Sequence, residues 1–163
     1  MPKRIRIESD YEIYFVTFSV HNFIPIFARQ VVARKFVRVL RFYEVRSDYV
    51  LHAYVIMPEH VHLLMECTCN RGIGAIIRDI KKYFAFIYRK ELLDIVGPEQ
   101  FMVDGRFRLW QRGFDEVTIS SEAQYYVKLK YIVNNPVKRG LSIEPGQYEF
   151  CFCADFDGLN RRI

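Results

Sequence analysis

Residues 57–65 read MPEHVHLLM, and no other stretch limits the fold of this chain as tightly. Pro58 lacks a backbone N–H, so Pro58-Glu59 reads as a turn between the end of one strand and the start of the next. In the second strand His60 and His62 are two residues apart, and their side chains emerge on one face. Val61, Leu63 and Met65 point the other way, into a core. Two imidazoles held side by side on a rigid strand suit a metal site or a pair gripping a phosphate. H-x-H alone is a weak motif. One functional histidine beside a bystander, or two solvent-facing histidines on an open sheet, fits the same residues.

The flanking periodicities supply the other elements. Residues 11–21 alternate, with Tyr14, Val16, Phe18 and Val20 on one apolar face and a mixed set opposite, which predicts a first strand with one face buried. Over residues 29–46 the period becomes helical: Val32, Phe36, Val39, Leu40 and Tyr43 form an apolar stripe. Residues 49–57 are apolar on both faces and predict a central strand, which the strand from His60 to about residue 66 joins as a hairpin. A second helix is expected over residues 73–93, on Ile73, Ile76, Ile77, Ile80, Phe84 and Ile87. A third begins after Ser120-Ser121-Glu122, where Ser121 and Gln124 fit a capping box, and should end before Pro136. Tyr131 and Asn135 lie one turn apart on that helix and share a face. This order predicts an α+β ferredoxin-like sandwich. Its antiparallel sheet carries helices on one face, and a further C-terminal helix bears Tyr131. The other face is free to bind something.

A chain of 163 residues, 51% hydrophobic and 16% aromatic, can bury a core as one domain over residues 1–163. No run of 18 apolar residues predicts a membrane span, and the charged start lacks the apolar stretch of a secretory signal. A cytoplasmic location with reduced cysteines is the expectation. The two C-x-C pairs, Cys67/Cys69 and Cys151/Cys153, would form a four-cysteine zinc site only if they met; small buried side chains are the plain reading.

The net charge of +5 is compatible with a nucleic-acid partner. Residues 3–7, KRIRI, read as a basic arm. Arg78, Lys81 and Lys82 cluster on the second helix as candidate phosphate contacts, against the alternative of a solvated face. Trp110 stands among Arg106, Arg108 and Arg112, the mixture of ring and cation that a single-stranded nucleic-acid groove uses; a short strand with charged flanks is the alternative. Lys138 and Arg139 add a basic turn after the third helix.

MPEHVHLL at 57–64, LWQRGF at 109–114 and KYIVNNPVKRG at 130–140, in that order, resemble the one-tyrosine HUH single-strand DNA transposases, nearest the REP-associated tyrosine transposase branch. The likeness runs from about residue 14 to residue 140. It implies a ferredoxin-like fold and a metal-dependent activity that nicks and rejoins single-stranded DNA next to a hairpin, through a covalent 5′-phosphotyrosine. By position it makes Tyr131 the nucleophile, His60, His62 and Asn135 the metal ligands, and Mg²⁺ or Mn²⁺ the ion. Members act as monomers or as homodimers. Many relatives carry a histidine shortly after the W-Q motif; this chain has Val117 there, a departure that bears on activity. A non-catalytic ferredoxin-like module that only binds nucleic acid is the competing expectation.

Overall fold

The computed structural model describes residues 12–46 and 48–160, so the basic arm at residues 3–7 lies outside the described residues. The elements run β1 (Ile13–Ser19), α1 (Gln30–Val45), β2 (Tyr49–Ile56), β3 (His60–Cys67), α2 (Ile73–Val96), β4 (Met102–Val103), β5 (Arg106–Phe107), β6 (Asp115–Thr118), α3 (Glu122–Lys138), β7 (Cys151–Cys153) and α4 (Phe156–Asn160). β4 and β5 form a small hairpin of their own. The other five strands make one antiparallel sheet in the order β6-β1-β3-β2-β7. The first four of these follow the ferredoxin-like order, and β7 is added beside β2.

The period-2 alternation of β1 and β3 sorts the core into two layers. Val16, Phe18, Val20, Val61, Leu63 and Met65 face α1 and α2. Ile13, Phe15 and Leu64 face the opposite side, where Tyr125, Leu129, Ile132 and Val133 of α3 cover them. The expectation of one buried face for β1 is therefore corrected: α3 closes the second face and buries Ile13 and Phe15 as well. In β2 a bulge between Leu51 and Ala53 shifts the alternation by one residue. It turns His52 toward α3, where the Tyr125 hydroxyl donates to Nδ1 at 2.7 Å and Nε2 donates to Glu66 at 3.2 Å.

The start of α3 is capped as its residues imply. Ser121 Oγ accepts from the Gln124 N–H at 3.1 Å, and Gln124 Oε1 reaches back to the Ser120 N–H at 2.8 Å. Its end departs from the expectation, since the helix runs through Pro136 to Lys138. A proline in the last turn removes only one amide donor, and the remaining carbonyls stay paired. Arg139 N donates to Asn135 O, Gly140 N to Val137 O and Leu141 N to Pro136 O. Gly140, at φ +68°, supplies the left-handed residue that stops the helix. Continuing past Pro136 keeps Tyr131, Asn135 and Arg139 in one helical phase.

The two C-x-C pairs do not meet. Cys67 and Cys69 pack with the α1/α2 core, whereas Cys151 and Cys153 pack on the α3 side of the sheet. Among the described residues no group of three or more His, Cys, Asp or Glu side chains is placed to hold a metal ion. No helix among them is long and apolar enough to cross a membrane.

Candidate active site

The two histidines open β3 on the face covered by α3. Their Nε2 atoms point at each other, 3.1 Å apart. Each ring is held from behind at Nδ1. His60 Nδ1–H donates to the Glu59 carboxylate at 3.0 Å, because a carboxylate can only accept. That leaves His60 Nε2 as a bare lone pair. His62 Nδ1 meets the Thr17 hydroxyl at 2.7 Å, across the β1–β3 pairing that sets Thr17 opposite His62. A hydroxyl can donate or accept, so Thr17 supports either tautomer of His62. Carboxylate and hydroxyl backing of this kind orients metal-ligating imidazoles.

Burial keeps both rings neutral. His62 is 5% exposed, and desolvation, then the neighbouring His60 and then Lys128, push its pKa down to about 3. His60 is lowered too, mainly by burial, with Glu59 pulling upward and Arg139 downward. Neutral imidazole is the form a metal requires.

α3 lays its nucleophile candidate against this pair. The Tyr131 ring lies 5.1 Å from that of His62, edge to face, and 5.7 Å from Phe15, which itself stacks on His62. Tyr131 remains 41% exposed, so substrate can reach it. Two turns on, Arg139 Nη1 lies 3.0 Å from the Glu59 oxygen that holds His60. Asn135 lies on the same stripe between these two contacts. It is 9% exposed, one of the few buried polar residues, and its amide forms no side-chain hydrogen bond among the described residues.

His60 Nε2, His62 Nε2 in the tautomer that donates Nδ1–H to Thr17, and the Asn135 amide one turn beyond Tyr131 are the groups of this site whose chemistry suits a divalent cation.

Sequence reasoning missed Thr17, Phe15 and Lys128. The Lys128 ammonium lies 4.4 Å from the Phe15 ring centre, one turn before Tyr131. Only the strand register and the helix placement bring these residues to the histidines, so no local spacing signals them. Val117, at the position where a histidine was expected, pairs with Phe15 across the β1–β6 edge and is 38% exposed.

The expected DNA contacts divide. Arg78, Lys82, Arg112, Lys138 and Arg139 are exposed, and Arg108 is half-buried. Trp110 is not available for base stacking. It is 8% exposed, packs against Phe18, Phe27, Phe36 and Phe84, and donates its indole N–H to the Lys81 carbonyl at 2.9 Å. The apolar surface of an indole is worth more in the core than in water. Lys81 is corrected likewise: its ammonium turns inward and donates to the carbonyls of Gln111 at 3.1 Å and Gly113 at 2.6 Å.

No curated protein matches the chain. Among solved structures, that of a REP-associated tyrosine transposase bound to a REP hairpin is similar over 93% of this chain and 82% of its own, at 22% identity and a TM-score of 0.63. That of a presumed transposase from Deinococcus radiodurans R1 is similar over 81% of this chain and 96% of its own, at 20% identity and a TM-score of 0.53. These likenesses establish the fold. The model of the family described as "Transposase IS200 like" matches residues 10–135, most of the sequence. The HxH strand, the sheet and the tyrosine helix thus sit in a chain that belongs to the IS200-like transposase family.

Proposed function

We propose that the protein nicks single-stranded DNA beside a hairpin and rejoins strands through a covalent phosphotyrosine, with Tyr131 as nucleophile. One observation carries this reading: Tyr131 packs directly on His62 of the same chain, on a helix whose far end is tied to His60 through Glu59 and Arg139. His60, His62 and Asn135 would hold a divalent ion, Mg²⁺ or Mn²⁺. When bound, that ion supplies charge neutralisation for the phosphate in the displacement.

The chain's own groups do the rest. Tyr131 Oη attacks the phosphorus in line; the O–P bond to Tyr131 forms as the bond from phosphorus to the 3′ oxygen breaks. The phenol's proton leaves, and the departing 3′ oxygen takes up a proton to become a free 3′-OH. The DNA 5′ phosphate stays on Tyr131. A second 3′-OH can attack that ester and release the phenol, so strands rejoin without a nucleotide cofactor. Lys128, beside Phe15 and close enough to bear on His62, supplies a fixed positive charge for the phosphate oxygens. Because Tyr131 already meets His62 within one chain, this reading needs no homodimer to complete the site.

The hairpin substrate is supported by family membership and by the REP hairpin in the structure of the relative. The test incubates the protein with Mn²⁺ and labelled hairpin-bearing single-stranded DNA. A covalent adduct on a denaturing gel is expected from wild type and none from Tyr131→Phe. Hairpin binding unaffected by a chelator, with no adduct from wild type, would instead establish the non-catalytic module, the reading that Val117 favours.

A further inference from the structure

The aromatic–basic constellation expected around Trp110 has a different realisation. Between the first turns of α2 and the loop 111–114 lies an open cleft of about 430 Å³, lined by Gly74, Ile77, Arg78, Lys81, Lys82, Gly113 and Phe114. Small-ligand sites usually measure about 300–1,000 Å³. We propose that this cleft is a nucleotide subsite for single-stranded DNA, in which Phe114 stacks a base while Arg78 and Lys82 take the adjoining phosphate. The inference rests on the strand-transfer reading above, and extends it to a place outside the metal site.

Three observations converge. The first is shape. Lys81 does not plug the cleft, because its ammonium is spent on the carbonyls of Gln111 and Gly113 and holds that loop against α2. Gly113, at φ +69°, lets the loop turn there and leaves the half-buried Phe114 ring along one wall. Gly74 lies beside the Phe114 ring, where a Cβ would come within 4.0 Å of Phe114 Cζ, so any longer side chain there would run along the ring into the cleft.

The second is charge. No acid is among the described residues that line the cleft, and Asp79 nearby is ion-paired with Arg71 and, at 3.9 Å, with Arg78. The Arg78 side chain is 73% exposed, and Lys82 forms no ion pair among the described residues. The start of α2 adds positive potential, since Gly72 at its N-cap offers no side chain to the first amides. An anion with an attached planar ring is the complementary ligand, and a nucleotide of single-stranded DNA has both parts.

The third is continuity. The loop is bonded directly to the strand that flanks the histidines: Gln111 N donates to Ser19 O at 2.9 Å, and Ser19 pairs with His60. The histidine pair faces α3 and the cleft faces α2, so a strand held at both sites crosses from one face of the sheet to the other over the loop bonded to the end of β1.

The test measures binding of a fluorescently labelled oligothymidine of about 20 nucleotides, and of an abasic oligomer of equal length, by anisotropy across a salt series. Gly74→Leu should fill the cleft and lower affinity about tenfold, while its melting temperature stays at or above that of wild type, since leucine is the better helix former. Phe114→Ala should shrink the preference for thymidine over abasic strand about tenfold. Arg78→Gln with Lys82→Gln should flatten the log–log salt slope by about 1.4, roughly 0.7 for each lost phosphate contact. Wild-type affinity in Gly74→Leu, or an unchanged base preference in Phe114→Ala, overturns the subsite. If wild type still forms the Tyr131 adduct in that case, the strand-transfer reading stands alone. If wild type neither binds nor reacts, both fall.

Discussion

Arg139 Nη1 and His60 Nδ1 converge on the same carboxylate oxygen of Glu59, each at 3.0 Å. One acceptor thus orients a histidine and anchors the end of the helix that carries Tyr131. Glu59→Gln should weaken Mn²⁺ binding by about 10–100-fold, because an amide orients an imidazole less strongly than a carboxylate. Titration calorimetry measures it. Arg139→Gln, at a half-exposed position, should change stability by no more than about 1 kcal/mol yet slow adduct formation, since Tyr131 loses its anchor.

Removing the Tyr131 hydroxyl should separate binding from chemistry. Tyr131→Phe keeps the ring contacts with His62 and Phe15, so the melting temperature and hairpin affinity should match wild type. Adduct formation should fall by more than about 10³-fold, the scale of losing a nucleophile. Residual adduct at the wild-type rate would assign the attack to another residue.

Lys128→Gln should slow adduct formation by about 10–100-fold with little change in DNA affinity, as expected for a charge that counts most when the phosphate charge builds. Lys128→Arg should recover part of the rate. Single-turnover gels and anisotropy on the same substrate separate the two effects.

The histidine pair should make the fold acid-sensitive. In the folded chain His62 titrates near 3 and His60 is also lowered, whereas in the unfolded chain both take up protons near 6.5. Between those values the unfolded state binds more protons, so stability is complete above about pH 6.5 and is lost as pH falls toward about 3. The His62 share should be on the order of a few kcal/mol. Denaturant melts at pH 7 and 4.5 should show the loss in wild type and a smaller one in His62→Gln.

Trp110→Ala should behave as a core mutation. The indole fills the space between Phe18, Phe36 and Phe84, so truncation should cost about 3–5 kcal/mol. Chemical denaturation checks this. A variant of wild-type stability with weakened DNA binding would return Trp110 to the surface.

The sequence by itself determined what local patterns control. The alternation of β1 and β3 placed His60 and His62 on one face and Val61, Leu63 and Met65 on the other, because a strand offers only two directions. The helical spacing from Tyr131 to Asn135 put those two side chains on one stripe, and the Ser121 cap marked where that helix starts. The tertiary structure alone decided what depends on which surfaces meet. It took Trp110 from an expected DNA groove into the core, because surrounding aromatic rings reward burial more than flanking arginines reward exposure. It carried α3 through Pro136, because the carbonyls of the last turn found other donors. It brought Thr17, Phe15 and Lys128 to the histidines through pairing register and helix docking, relations between residues far apart in the chain that no local period encodes.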